Sequence, residues 1–489
     1  MSRWSGTLSR IDRLIEKYRK TQEELLAEAG KPPKGTHQEY RERLLAKTAA
    51  IFAAVFVYTR KWSRGNVRAL YSEGMKESAD AVKRQYAAAG KKAMSFRGWT
   101  AADDAAVAAS QANIDTLLME AVDAARQHMQ TEIQQAALRA TEEAMTKGQA
   151  TQVMQAQLIQ ALKDKGIESV SYVRNGKACY MQLDAYAELV ARTTEHEIRN
   201  TANINLGERI GNHLVRISSH SGACPICTPY QGRVYSTDLS DERYPYLYDT
   251  PFSREYQNFH PRCRHVVTQY IEELHTPEEN ASMREFSNRA FDVGGSGWTK
   301  KQAEAAEKSL ERYRLKQARN RRLYEDQKQY ERYRLVLGDD APKTFSVFRR
   351  VKAADGERRQ FMELDYRRRN KLLEHPELAL PNAEKAAAAD AKFTKYLFNK
   401  NNADGWAKGR AFESRLGYNI SNWKELQKEL LDRAKIYPTK AGDTDQYGTR
   451  YTQYMVLYGN KGKPANVRVG WKVSEDKTWL TTALIKEVD

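Results

Sequence analysis

The chain has 489 residues, 41% hydrophobic and 29% charged, with 80 Lys and Arg against 63 Asp and Glu and a formal net charge of +17. That length suits about two to four domains, and the balance describes a folded, polar protein rather than a disordered or membrane-embedded one. Four cysteines exclude a disulfide framework and point to assembly in a reducing cytosol. The positive excess points either to a well-solvated helical surface or to contact with a polyanion.

Met1-Ser2-Arg3-Trp4 leads straight into charged residues, so no signal peptide is expected. Over residues 8–30, Leu8, Ile11, Leu14, Ile15 and Tyr18 mark one face and Lys and Glu the other, which predicts a helix ended by Gly30 and Pro32-Pro33. A second helix carries the apolar run at 49–58 and continues toward Glu73. That run is about half a bilayer span, so it reads as a buried helix segment and gives no membrane span. Thr100 with Asp103 makes a capping-box-like start. Ile114, Leu117, Leu118, Ala121, Val122, Ala125 and Met129 then hold one apolar stripe, read as packing, and the Ala-rich helix continues past Leu138. A further helix covers 153–162 and stops at Gly166. Residues 1–166 are thus expected to be a helical module.

The period changes at 167–180, where Val170, Tyr172 and Val173 before Asn175-Gly176 predict a β-hairpin. A helix is expected over 183–203, and Val215-Arg216-Ile217 leads as a strand into H-S-G-A-C-P-I-C-T-P-Y-Q-G-R-V-Y-S. Cys224 and Cys227 stand two residues apart, stiffened by Pro225 and Pro229, and Gly232 permits the turn into the next strand. A loop crowded with Tyr235, Tyr244, Tyr246, Tyr248, Phe252 and Tyr256 ends in F-H-P-R-C-R-H, which supplies His260, Cys263 and His265. A Cys-x-x-Cys pair with a distant Cys/His pair is how a chain offers four ligands to a tetrahedral zinc ion. More than four ligands and no H-E-x-x-H arrangement make the site structural rather than catalytic. Cys224, Cys227 and Cys263 are the firm ligands; the fourth is His260 or His265, with His220 third. A thioredoxin-type redox pair would need a preceding βαβ pattern, which is absent. The remaining alternative is a set of small buried cysteines with hydrogen-bonded histidines. Residues 167–275 therefore read as a small α+β Cys/His module.

The block C-P-I-C-T-P-Y-Q-G-R-V-Y-S…F-H-P-R-C-R-H resembles the signature of tailed-phage minor capsid, or head-morphogenesis, proteins, and the stretch at 183–194, L-D-A-Y-A-E-L-V-A-R-T-T, looks like the same family. Relatives of the wider group often end this block in H-P-N-C-R-C, so His265 stands where a cysteine can stand, which leaves the choice between His260 and His265 open. The resemblance covers roughly residues 1–370. It implies a virion protein made in the host bacterial cytoplasm, placed in the capsid interior or near the portal, with the portal and other capsid proteins as partners. Phage DNA is a partner suggested by charge.

Residues 276–375 return to helix and become strongly basic. The run K-Q-A-R-N-R-R-L-Y-E-D-Q-K-Q-Y-E-R-Y-R-L reads as a long helix laced with i,i+4 salt bridges, or as an arm facing DNA or the portal. Lys343, residues 349–352 and residues 366–371 add further basic clusters. Pro376, Pro381 and the four alanines at 386–389 read as a linker over 376–390. Beyond it, 391–489 reads as a separate α+β domain. One helix lies near 403–416, and a second is capped by Asn422 with Glu425 at the box position. An antiparallel three-strand meander follows at 447–458, 465–473 and 478–485. Its middle strand alternates Val467, Val469, Trp471 and Val473 with polar neighbours.

That order resembles the small nuclease fold shared by barnase-like and RelE-like toxins, with K-G-R-A-F-E-S-R-L-G-Y, Y-G-T-R-Y and V-R-V-G-W as the matching stretches. The resemblance implies metal-independent RNA cleavage by Lys408, Arg410, Thr449, Arg450 and Thr482, the cations neutralising the scissile phosphate while Thr or Tyr451 positions the 2′-hydroxyl. The last histidine is His375, so this domain has no imidazole for acid–base work. The alternative is a domain that binds RNA without cleaving it, or a zinc-containing nucleic-acid-binding protein with no virion role.

Overall fold

The computed structural model describes residues 9–31, 35–92, 98–144, 150–174, 177–289, 300–354, 356–460, 463–475 and 477–488. The expectations for residues 1–4, Leu8, Pro32-Pro33 and Asn175-Gly176 lie outside these. The chain forms two compact units, one of Met1–Gln22, Ala49–His128 and Ile167–Tyr324, the other of Glu23–Thr48, Met129–Gly166 and Glu325–Asp489.

Four helices come first: α1 (Arg10–Gly30), α2 (His37–Ala88), α3 (Ala101–Ala144) and α4 (Ala150–Lys165). The hairpin β1 (Glu168–Arg174) and β2 (Lys177–Gln182) leads into α5 (Leu183–Ile210). α2 runs past the expected Glu73 as one helix of 52 residues. Gly74 does not stop it; the glycine is pressed against Arg199 and Ala202 of α5, where an added Cβ would lie 3.3 Å from the Arg199 Cα. The expected capping box of α3 is formed, with Thr100 N–H donating to the Asp103 carboxylate at 2.7 Å and Asp103 N–H to Thr100 Oγ1 at 3.4 Å. Asp103 is buried and also accepts from Tyr71 of α2 and Arg209 of α5, so one carboxylate ties three helices together. α5 extends beyond the expected residue 203 and closes at Gly211, which adopts φ 67.

After α5 a three-stranded antiparallel sheet has the order β4-β3-β5, from β3 (Leu214–Ile217), β4 (Val234–Ser236) and β5 (Val267–Gln269). Then come α6 (Pro277–Asn288), with a full Thr276/Glu279 capping box, and α7 (Lys300–Leu337). No helix among the described residues is long and apolar enough to cross a membrane.

In the second unit α8 (Phe345–Ala353) and α9 (Glu357–Glu374) precede α10 (Ala403–Leu416) and α11 (Trp423–Ala434). The sheet that follows has four antiparallel strands rather than three, in the order β6-β7-β8-β9: β6 (Thr439–Asp445), β7 (Gly448–Leu457), β8 (Ala465–Val473) and β9 (Thr478–Ile485). β6 was missed because T-K-A-G-D-T-D has no apolar alternation; it is an edge strand, solvent-exposed along nearly its whole length. The expected Asn422 cap is also corrected. Its side chain makes no cap bond but accepts from Asn419 N–H at 2.7 Å and donates to Gly417 O at 3.1 Å. The stretch 376–390, expected as a linker, buries Leu380 in the core of this unit, and Ala387 bridges β9 at Trp479.

Candidate functional site

The antiparallel pairing of β3 with β5 sets Ile217 opposite Val267. The chain leaves β3 into the Cys224-Cys227 knuckle and enters β5 from the 260–265 block, so both ligand groups emerge at one end of one sheet. Two similar turns result. Cys227 N–H bonds back to Cys224 O at 3.1 Å, and Cys263 N–H bonds back to His260 O at 3.0 Å. Arg262 takes a left-handed φ of 62 to close the second turn, with its N–H held by Thr193 Oγ1 at 3.1 Å.

The four turn ends converge. His260 Nε2 lies 3.1 Å from both Cys224 Sγ and Cys227 Sγ, and Cys227 Sγ lies 3.7 Å from Cys263 Sγ. Metal–sulfur bonds of about 2.3 Å and metal–nitrogen bonds of about 2.0 Å in a tetrahedron imply sulfur–sulfur edges of about 3.8 Å and sulfur–nitrogen edges of about 3.5 Å. His260 Nδ1 donates to the Pro261 carbonyl at 2.8 Å, which leaves Nε2 as the lone pair aimed at the sulfurs. His265 is placed differently: its Nδ1 lies 3.4 Å from Cys263 Sγ, and among the described residues its buried Nε2 has no hydrogen-bond partner. The donors fall into two groups that share Cys227, one with Cys224 and His260, the other with Cys263 and His265. This Cys/His cluster could hold a metal ion. His220, the third candidate, braces the loop instead, with Nε2 at 2.9 Å from Arg264 O and 3.0 Å from Ser218 Oγ.

Electrostatics agree with the geometry. The hydrogen bond from Cys227, aided by those of His260 and His265, holds the Cys263 thiol far below its usual value. His260, bonded to that sulfur, is pushed up to about 9, while the neighbouring Cys263 sulfur and burial drive Cys227 upward. Close-set thiols without a cation cannot all ionise, so the cluster is arranged for a positive charge at its centre. A cavity of about 640 Å³ opens on it, lined also by Glu188, Arg192 and His196 of α5 and by Lys316 and Asn320 of α7. Sequence reading missed His196; the i, i+4, i+8 spacing of Glu188, Arg192 and His196 is the signal that could have found it. α7 is fastened to the knuckle by Gly222 N–H on Ser309 Oγ at 2.9 Å.

The sequence model of the family described as phage minor capsid protein 2 matches residues 58–336, more than half of the chain and the whole Cys/His module. The chain belongs to that family. This minor capsid protein is accordingly a structural component of a phage particle, with other capsid proteins as its partners. Residues 379–487 match a domain of unknown function, DUF6883. No curated protein and no solved structure matches the chain.

The five C-terminal candidates are not brought to one place. α10 lies on the core face of the sheet, burying Phe412 and Leu416, and its half-buried Lys408 donates to Tyr396 OH at 2.8 Å. Arg410 is exposed. Thr449 pairs with Val473, which belongs to the same core. Arg450 pairs with Lys472 and Thr482 with Gly470, and the alternation of β8 puts both on the opposite face. Thr449 and the Arg450-Thr482 pair therefore stand on opposite sides of the sheet.

Proposed function

We propose that this protein is built into the phage head beside the portal or facing the head interior, and that one structural zinc ion fastens its Cys/His module. Cys224, Cys227, Cys263 and His260 would hold the ion, which would cross-link the end of β3 to the start of β5 and order the tyrosine-rich loop between them. The observation that carries the reading is the convergence of the two turns, with His260 Nε2 at 3.1 Å from two sulfurs, inside the stretch matched by the capsid family. Charge supports phage DNA as a further partner. Mass spectrometry of gradient-purified virions tests the placement: full-length chain at a fixed low copy number per portal is expected. A chain found in lysates but absent from purified heads refutes it.

A second reading gives residues 391–489 a ribonuclease or RNA-binding role. The order of two helices before an antiparallel sheet favours it, and so does the exposed Arg450 on the sheet. The split of Thr449 and Thr482 between two faces argues against cleavage by all five residues acting together. Incubation of full-length protein with total RNA separates the cases. Cleavage abolished by Arg450→Ala supports a nuclease, binding without cleavage supports an RNA-binding domain, and neither removes both.

A further inference from the structure

Between residues 308 and 322, α7 carries seven cations, Lys308, Arg312, Arg314, Lys316, Arg319, Arg321 and Arg322, against one carboxylate, Glu311. All seven are exposed. The sequence allowed a helix laced with salt bridges, but among the described residues none of the seven lies within ion-pair distance of a carboxylate. Nearer the end of α7 the pattern reverses, and Asp326 pairs with Lys352 at 2.6 Å and Arg349 at 3.4 Å. The unpaired charge is therefore a property of one stretch.

Its arrangement is directional. Lys308, Arg312, Lys316, Arg319 and Arg322 follow the three-and-four spacing of a single helix face, whereas Arg314 and Arg321 fall on the other side. At 1.5 Å per residue the stripe is about 21 Å long, with a cation every 5–6 Å or so. Arg264, from the loop that carries Cys263, lines the same cavity as Lys316 and extends the stripe sideways. Like charges gathered on a helix repel one another and weaken the fold unless an anion collects them.

We propose that this stripe docks the sugar-phosphate backbone of double-stranded DNA. The inference rests on the reading that the chain is built into a phage head. A duplex presents a phosphate every 1.7 Å or so of its length, so a straight row of more widely spaced cations laid against it meets phosphates along its whole length. A protein partner is disfavoured because the stripe has no apolar centre: of the exposed large apolar side chains on this stretch, Leu315 stands within it while Leu310 and Tyr324 fall on other faces of the helix. Single strands are disfavoured because no aromatic ring is interleaved with the stripe for bases to stack on. Lys and Arg contacts of this kind fix position without reading sequence.

The test is fluorescence anisotropy of a labelled 20-base-pair DNA duplex with full-length protein across a potassium chloride series. The Arg312→Ala/Lys316→Ala chain is compared with Arg314→Ala/Arg321→Ala, which removes the same charge from the opposite face. Each phosphate contact contributes a salt slope of about 0.9, so the stripe variant should lose about 2 from the log–log slope and roughly 60-fold in affinity near 0.1 M salt. The opposite-face variant should stay close to wild type, and competitor duplexes of different sequence should compete equally. Equal losses in the two variants would reduce the effect to diffuse charge and overturn the proposal. Tighter binding to a single strand or to duplex RNA overturns the choice of duplex DNA. Detection of the chain in virions is scored separately, so failure here leaves the structural role standing.

Discussion

Asp340 is the residue whose removal should cost the second unit most. It sits in the short turn before α8 and accepts two bonds from Arg433 of α11, at 2.9 and 3.0 Å, and a third from Arg369 of α9. Both guanidiniums are withdrawn from water, with side chains 6% and 9% exposed. Burial raises the Asp340 carboxyl, but the two cations more than offset that and hold it below the usual carboxylate range. Asp365 completes the cluster, bonded by Arg369 at 2.8 Å, Tyr437 at 2.5 Å and Tyr458 at 3.0 Å. Asp340→Ala would strip three charge-assisted bonds yet leave each arginine one carboxylate, Asp365 for Arg369 and Glu429 for Arg433. That places the loss near the low end of the usual range for breaking a buried pair, about 3 kcal/mol. For a unit of this size the melting temperature should fall by about 6–12 °C.

Calorimetry on the full chain is the assay, with Glu363→Ala as the control. Glu363 pairs with Arg359 at 2.8 Å where both side chains are only half-buried, and its loss should stay within about 0.5 kcal/mol. The acid side has a defined sign. A carboxyl held below its unfolded value contributes stability above that value and loses it as pH falls through the folded one, so wild type should lose its advantage over Asp340→Ala in acid below about pH 4. An Asp340→Ala chain that melts with the Glu363→Ala chain would falsify the assignment. The network also bears on the C-terminal domain. A fragment starting at 391 lacks Asp340, Asp365 and Arg369, so Arg433 would lose its bonds to Asp340 and the Tyr437 hydroxyl its bond to Asp365.

Purified protein should contain about one zinc per chain; Cys227→Ser and His260→Ala should lose it while His265→Ala keeps it, and a folded chain that stays metal-free after zinc supplementation refutes the site. Gly409→Ala should destabilise by about 1–3 kcal/mol in thermal unfolding, because its Cβ would press into the Leu397 carbonyl oxygen, outweighing a helix-propensity gain of about 1 kcal/mol; a stabilised variant shows the contact yields. Burial raises Glu197 of α5 to about 7, so the folded state holds its proton where the unfolded state releases it. Stability should therefore fall as pH rises from about 5 to 7, and Glu197→Gln should flatten that slope in urea titrations; an unchanged slope rules Glu197 out as its source.

The Cys/His cluster was legible because a Cys-x-x-Cys pair with a distant Cys/His pair is written in residue type and spacing. What spacing could not decide was the choice between His260 and His265. That choice rests on a backbone bond from Nδ1 to Pro261 and on a His260–Cys263 turn that repeats the Cys224–Cys227 turn. The apolar stripe of α3 and the alternation of β8 were read correctly because burial imposes a period on sequence. β6 imposes none, being an exposed edge, and it stayed invisible. The nuclease-like residues were grouped by local resemblance, and only strand register reveals that Arg450 and Thr482 share a face that Thr449 does not.

Charge is where sequence and structure diverge furthest, because a count of cations says nothing about which are answered. Arg369 looks in sequence like any other member of its basic cluster, and Arg433 like any other helix arginine, yet both are buried and paired. Arg312 and Lys316 have similar neighbours in the chain and stand exposed, with no carboxylate at ion-pair distance among the described residues. The two kinds of arginine have opposite expected signatures. Removing a cation from the first set should lower the melting temperature with little salt dependence, since buried pairs are poorly screened. Removing one from the second should leave folding nearly untouched and change only salt-dependent binding to a polyanion. The buried arginines, answered by Asp340, Asp365 and Glu429, add nothing to the net charge of +17, whereas the stripe of α7 contributes to it directly.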